Sequence, residues 1–358
     1  MSSSAEKMPK KRILIAPLNW GLGHATRCIP IIEALENHDF EPIIASDGIA
    51  LALLQKEFPH LQVLELPSYN IEYAQNGENF KWKLFKQIPR MFAAVCAERK
   101  IIRQWVKERQ LDGIISDNRL GIHSTKVPSV FITHQLNVLT GNTSWLTTKI
   151  HHYFIKKFTE CWVPDTAEKP NLSGKLGHLK DNTLNIKHIG PLSRLRKKPT
   201  DQIYDLMVLL SGPEPQRTLL ETKLKDELKN YDGNIIFIRG VVEAEQKITQ
   251  RFNVTCYNFM NTAELELAFN QSKMVLSRSG YTTIMDLAKL GKKAFFIPTP
   301  GQYEQEYLAK KLKKKGLVPY CKQDDFRVER LLEVDLYKGL KEVGKSDLNW
   351  KELFDVFQ

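Results

Sequence analysis

The strongest constraint on this chain is an alternation that runs through it twice. Short β-branched or apolar runs are each followed by a longer stretch of helical periodicity. The first series holds RILIAP (12–17), EPIIAS (41–46), LQVLEL (61–66), DGIIS (112–116) and PSVFIT (128–133), with ECWVP (160–164) as a sixth strand. Within it lies a long helical stretch over 80–110, expected to break near Pro89. The second series holds DLMVLLS (205–211), NIIFIR (234–239), VTCYNF (254–259), KMVLS (273–277) and KAFFIP (293–298). Strands that alternate with helices build parallel sheets covered by those helices. Between the series, HIGPLSRLRKKPTDQ (188–202) keeps neither periodicity and carries prolines and a basic run, so it reads as a linker. No motif recurs at a 20–50-residue period, which argues against a solenoid.

The expected organisation is an α/β protein of two Rossmann-like domains whose parallel sheets face an interdomain cleft. A disordered terminus (1–11) precedes a first domain (12–190), a linker (191–203) and a second domain (204–345). A C-terminal helix (346–358) is expected to pack back on the first domain. The 358 residues are long for one core and suit two. Open α/β sheets bind ligands beyond the carboxyl ends of their strands, which points to the cleft.

Composition narrows the class. The formal charge of +11 calls for an acidic partner: nucleic acid, an anionic membrane surface or a phosphorylated ligand. No nucleic-acid module signature is present, so nucleic acid is set aside. No segment approaches the roughly 18 apolar residues needed to span a bilayer, and MSSSAEKMPK has no apolar targeting core, so the expected location is cytoplasmic. The five cysteines are scattered and never in a CxxC pair, which suggests neither a disulfide framework nor a zinc site. Two basic, aromatic-rich stretches, 80–109 and 145–158, have two readings: a face lying on anionic lipid, or core-facing helices with solvated charges.

Three stretches carry candidate chemistry. In GLGHATR, Gly21 and Gly23 permit a tight strand-to-helix turn, and the following helix aims free N–H groups at the cleft. His24 there is either a general base or a plain helix cap. Around 277–286, the turn Ser277-Arg278-Ser279-Gly280 opens a helix that carries Asp286. It is either a phosphate cradle with a ribose-binding carboxylate or an ordinary capped helix. Beyond the next strand, Gln302, Glu304, Gln305 and Glu306 crowd the mouth of the second sheet, where carboxamides suit sugar hydroxyls.

The 277–307 block resembles the donor-site segment of family 28 glycosyltransferases, and the likeness is ordered along most of the chain. The family's glycine-rich turn ending in histidine looks like Gly21 to His24. Its His-Glu-Gln-Asn segment resembles His134-Gln135-Leu136-Asn137, keeping only the first and last residues, which makes the peptidoglycan acceptor of that family an unexpected substrate here. Its linker arginine falls on Arg194 and its phosphate loop on Ser211-Gly212-Pro213. Its base-contacting backbone falls on Phe259-Met260, its ribose carboxylate on Asp286 and its donor-sugar glutamine on Gln305.

The resemblance implies a GT-B architecture with the acceptor on the first domain and a UDP-sugar on the second. It implies an inverting transfer to an acceptor hydroxyl, on a cell-envelope glycan or a lipid-linked acceptor, at the inner face of a membrane. The chain has no Asp-x-Asp triplet, so helix dipoles and basic groups are expected to stabilise the leaving diphosphate, with no metal or cofactor. His24 is the first candidate base and Asp117 the second. Glu214 in SGPEP is expected to repel a diphosphate unless it turns away. Residues 21–28 also match the Gly-x-Gly-His-x-x-Arg-Cys turn of nucleotide-sugar hydrolases of the pseudaminic-acid pathway, where the histidine activates water. A non-catalytic nucleotide-sugar binder is the third reading.

Overall fold

The computed structural model describes residues 9–69, 80–180, 183–212, 214–340 and 348–358, with the backbone alone for 80–88. Residues 1–8 of the terminus expected to be disordered lie outside the described residues, as does Pro213 of the expected phosphate loop. Lys11 already begins the first strand.

The first sheet has seven strands, all parallel, in the order β3-β2-β1-β4-β5-β6-β7. In chain order its elements are β1 (Lys11–Pro17), α1 (Leu22–Asn37), β2 (Phe40–Ser46), α2 (Gly48–Glu57), β3 (Val63–Glu65), α3 (Phe80–Glu108), β4 (Gly113–Asp117), β5 (Ser129–Ile132), α4 (Ser144–Ile155), β6 (Glu160–Val163) and β7 (Ile186–His188). The central strands are buried on both faces, so they read as continuous apolar runs without alternation. Helix α3 runs through Pro89, contrary to the expected break. Pro89 is exposed, and its missing N–H costs one helical bond without ending a helix of 29 residues.

The second sheet has six strands in the order β10-β11-β9-β8-β12-β13. Its elements are β8 (Tyr204–Leu209), α5 (Gln216–Glu227), β9 (Ile235–Ile238), β10 (Ile248–Arg251), β11 (Val254–Tyr257), α6 (Thr262–Asn270), β12 (Ser272–Ser277), α7 (Tyr281–Leu290), β13 (Lys293–Phe296) and α8 (Tyr303–Lys314). All pairings are parallel except β10 with β11. The last helix, α9 (Trp350–Phe354), returns to the first sheet. There Phe354 and Phe357 pack edge-on against Phe40, and both lie against Trp162. Lys11 Nζ donates to the Phe357 carbonyl at 2.9 Å, tying the two chain ends together.

The carboxyl edges of the two sheets face each other. The N-terminal turns of α1 and α7 meet across that junction, where Thr282 Oγ1 donates to the Gly23 carbonyl at 3.1 Å. A Cβ at Gly23 would come within 2.9 Å of that hydroxyl, so the glycine permits the close approach.

Candidate active site

The site forms where β1 and β4 end side by side, Pro17 pairing with Asp117. Gly21, at φ 77, turns the chain from β1 into α1, a conformation that favours glycine. His24 and Arg27 then lie three residues apart on one face of α1, and both reach Asp117. His24 Nδ1 is 2.8 Å from Asp117 Oδ1, and Arg27 grips the same carboxylate through two guanidinium nitrogens. Asp117 and Arg27 are completely buried, whereas the His24 side chain keeps 14% of its surface open.

The three charged groups act on one another. Burial alone would raise the Asp117 pKa, but Arg27 and His24 hold it well below the ordinary carboxylate range. Asp117 Oδ1, which when ionised only accepts, and Arg27 Nη2, which only donates, both lie 2.8 Å from His24 Nδ1; the carboxylate favours the tautomer with the proton on Nδ1 and the Nε2 lone pair free, and the guanidinium favours the other. Burial and the Arg27 guanidinium keep the imidazole below its usual pKa, against the opposing pull of Asp117. A neutral imidazole at neutral pH is a competent base. Asp117, the second candidate base, has no exposed surface, and its oxygens meet Arg27, His24 and the Cys28 thiol.

The second half adds groups to the same cluster. His134, just after β5, contacts Arg27 through Nδ1 at 3.1 Å and Glu304 Oε1 through Nε2 at 2.8 Å. Glu304 sits in the first turn of α8, where a carboxylate suits the helix dipole, and also binds the Gln135 amide. The Tyr281 ring, opening α7, stacks on His134 at 4.3 Å between centroids, and its hydroxyl donates to the Pro164 carbonyl. Glu304, Arg27 and Tyr281 were not assigned roles from sequence. Arg27 left a local signal in its three-residue spacing from His24, and Glu304 in the polar run after the last strand of the second sheet.

The other expected site residues divide into open and engaged. Gly21, Gly212 and Gly280 face open space, with nothing within 4 Å of a Cβ built at any of them. Gly212, at φ 103, follows β8 with Ser211, and Gly280 caps α7. Arg278 lies elsewhere than expected for a phosphate ligand. It is 1% exposed and donates to the carbonyls of Ile297, Pro298 and Gln216 and to Gln323 Oε1, so it braces the base of the turn. Burial lowers its pKa to about 9. Ser277 Oγ donates to the Arg278 carbonyl and Ser279 Oγ to the Gln305 carbonyl. The Gln305 amide accepts from the Thr299 N–H and donates to Gln302. The Glu214 carboxylate lies on the first turn of α5, accepting from Arg217 Nε at 2.7 Å and from the Thr218 N–H.

Asp286 accepts a 2.6 Å bond from Ser193 Oγ, and burial raises its pKa to about 6. Arg194 reaches Thr262 Oγ1 at 2.9 Å and Glu57 at 3.4 Å, joining the linker to both halves. Phe259 has its N–H on Asn258 and its carbonyl on Gln246, so a base would displace one of these bonds or use Met260, which is buried. Asn137 donates to the carbonyls of Lys175 and His178, holding a loop. Among the described residues no group of three or more His, Cys, Asp or Glu is placed to hold a metal ion.

The two basic stretches behave differently. Helix α3 buries Ala94, Val95, Ile102 and Val106 and is core-facing over its described part. Helix α4 buries only Ile155 and exposes Trp145, Leu146, Ile150 and Tyr153, with Lys149 over the Trp145 ring and Lys157 over the Tyr153 ring. No helix of the described residues is long and apolar enough to cross a membrane.

Residues 215–344 match the glycosyltransferase family 28 C-terminal domain. The UDP-N-acetylglucosamine–N-acetylmuramyl-(pentapeptide) pyrophosphoryl-undecaprenol N-acetylglucosamine transferase of Haemophilus ducreyi is 25% identical over 210 residues, 57% of this chain and 56% of that protein. The Pasteurella multocida protein of the same name is 24% identical over 341 residues, 91% and 88% of the two chains. The crystal structure of Acinetobacter baumannii MurG superposes at a TM-score of 0.53 with 13% identity, covering 98% of this chain and 99% of that one. The glycotransferase of kitacinnamycin gives 0.60 with 15% identity over 91% and 90%. Residues 215–344 are thus similar to a family 28 C-terminal domain, within a chain whose fold matches GT-B glycosyltransferase structures along its length.

Proposed function

We propose that the chain is a metal-independent, inverting glycosyltransferase that moves a sugar from a UDP-sugar to an acceptor hydroxyl, with His24 as the base. The observation that carries this reading is the His24–Asp117 pair, closed by Arg27 at the N-terminus of α1 and facing the N-terminal turn of α7. The diphosphate would lie over Ser211-Gly212 and Gly280, where both glycines are open and Gly280 leads into the N-terminus of α7, while the first turn of α5 already has the Glu214 carboxylate on its Thr218 N–H. Asp286 would take the ribose and Gln305 the sugar, each exchanging a bond it now makes within the protein.

In the reaction the acceptor oxygen forms a bond to the anomeric carbon as the bond from that carbon to the diphosphate breaks. The hydroxyl proton passes to His24 Nε2 while Asp117 stabilises the imidazolium through Nδ1–H. The leaving diphosphate keeps the electron pair and is stabilised by backbone N–H groups. For the acceptor, the exposed aromatics of α4 with Lys149 and Lys157 suit an anionic lipid surface, which favours a lipid-linked substrate delivered at the cytoplasmic face of a membrane.

A second reading is favoured by residues 21–28: the same base would activate water as readily as a hydroxyl, giving a nucleotide-sugar hydrolase. Thermal-shift screening against UDP, GDP, TDP and their sugars identifies the donor. UDP release is then followed with and without acceptor extract. Acceptor-dependent release supports transfer, acceptor-independent release replaces it with hydrolysis, and the absence of release with intact donor binding leaves a binder.

A further inference from the structure

The cluster around His24 draws on both domains. His24, Arg27, Asp117 and His134 come from the first, while Glu304 and the Tyr281 ring reach them from the second. Arg27 is the centre: Nε and Nη2 grip Asp117, Nη2 also lies 2.8 Å from His24 Nδ1, and Nη1 lies 3.1 Å from His134 Nδ1. A guanidinium only donates, so His134 Nδ1 accepts and its ring proton sits on Nε2, 2.8 Å from Glu304 Oε1. Glu304 thereby selects the tautomer of His134 that can receive Arg27, and the Tyr281 ring, stacked on the imidazole, fixes its plane. The helix that carries Glu304 is itself tied across the cleft. The Tyr307 hydroxyl accepts the Lys175 N–H at 3.0 Å, and Lys311 Nζ donates to the Asn171 and Leu172 carbonyls at 2.8 and 2.7 Å.

We propose that Glu304 is a positioning residue for the transfer, reaching across from the second domain to complete the His24 base through His134 and Arg27. The inference rests on the reading of His24 as that base. Its physical ground is the charge of the cluster. Asp117 and Glu304 both stay below the ordinary carboxylate range despite burial, the first held by Arg27 and His24, the second by His134. Around them, burial raises the Cys28 thiol and the Tyr281 hydroxyl and lowers the His151 imidazole of α4 to a pKa of about 4, so these groups are uncharged at neutral pH. Glu306, on the same turn as Glu304, accepts the Gly301 N–H. Two carboxylates then face one guanidinium, and the proton that His24 takes up neutralises the cluster. Without Glu304, the same proton would leave a net positive charge in a buried place, which desolvation opposes. Gln305, the residue beside Glu304, is the one proposed for the donor sugar, so one turn of α8 would serve both the donor and the base.

The test removes the charge and keeps the shape. The His24 imidazole is titrated by NMR in the full chain, its signal assigned by its loss in His24→Ala, with and without Glu304→Gln. The proposal expects the His24 midpoint to fall by about one pH unit in Glu304→Gln, the size typical of losing a nearby opposite charge. The acid limb of kcat should move down with it. The value of kcat should fall by about three- to tenfold, as Brønsted behaviour gives for a weaker base, while the KM for the donor holds. A merely structural loss has the opposite sign: water entering the cluster relieves the burial that lowers the His24 pKa, and the midpoint rises. An unmoved or raised midpoint overturns the role of Glu304, even where turnover still needs His24. A fallen midpoint with turnover that survives His24→Ala keeps the coupling and removes the transfer base instead.

Discussion

The two sides of the cleft are built on opposite principles. On the first side, charge is packed into a dry place: Asp117 and Arg27 have essentially no exposure, and His24, His134 and Glu304 complete a network in which each side chain answers another. On the second side the expected phosphate loops are nearly bare. Gly212 and Gly280 face open space, while the one arginine in the turn, Arg278, is sunk beneath it and spent on carbonyls. Chemistry that moves a proton needs a base whose tautomer and pKa are fixed by neighbours, which requires burial. Holding a diphosphate needs backbone N–H groups that a ligand can reach, which requires the absence of side chains. Substitutions on the first side should therefore act on turnover and stability, and those on the second on donor affinity.

His24→Ala offers the largest break. Turnover is expected to fall by about 10²- to 10⁴-fold, the usual contribution of a positioned base, with UDP affinity nearly unchanged. Unchanged turnover removes His24 as the base. Asp117→Ala should do two things at once. It frees the His24 tautomer, and it leaves Arg27 buried without its partner, at a cost of about 3–5 kcal/mol to stability. Denaturant unfolding measures the second effect, and a loss below about 1 kcal/mol would mean that water already reaches the pair.

The pH profile separates the sides further. The His24 pKa is lowered by burial and Arg27, so the acid limb of a His24-dependent rate is displaced to lower pH than a free imidazole would give. Asp286 runs the other way. Its carboxyl is raised to about 6, so it is mostly protonated below that pH and ionised above it. If the ionised form accepts ribose hydroxyls, donor affinity rises from pH 5 to 7. Asp286→Asn, neutral throughout, should remove that rise and weaken binding by about tenfold, the worth of one hydrogen bond to a charged group. Calorimetric titration of UDP at the two pH values reads both.

The same contrast explains what could be seen in the chain before its structure. The strands of both sheets were legible because parallel strands buried on two faces are written as continuous apolar runs. β10 was not, because ITQR is polar, exposed on every residue and paired antiparallel at an edge. β7 was not, because three half-buried residues carry no pattern. His24 was legible from its glycines, but its partners come from far along the chain: Asp117 is 93 residues away, and Glu304 lies 170 residues from His134. Those distances close only through strand order and the meeting of α1 with α7. Arg278 misled for the reverse reason, since a basic residue in a small-residue turn carries no local mark of whether it points out or in.

The smallest expected effect tests whether the second side works by bare backbone alone. Glu214 stands where a carboxylate should oppose a diphosphate, yet it is bound to Arg217 and to the Thr218 N–H, and its side chain is 56% exposed. An exposed pair of this kind is worth about 0–1 kcal/mol, and solvent screens its charge from a neighbouring ligand. Glu214→Gln should therefore change the KM for the donor by less than about threefold and leave kcat alone. A gain in donor affinity of tenfold or more would mean that the phosphate needs the N-terminus of α5, where Glu214 already accepts the Thr218 N–H. The second side would then be held closed by an internal anion, much as Glu304 sits among His134 and Gln135 on the first, and the contrast between the two sides would narrow to a difference in exposure.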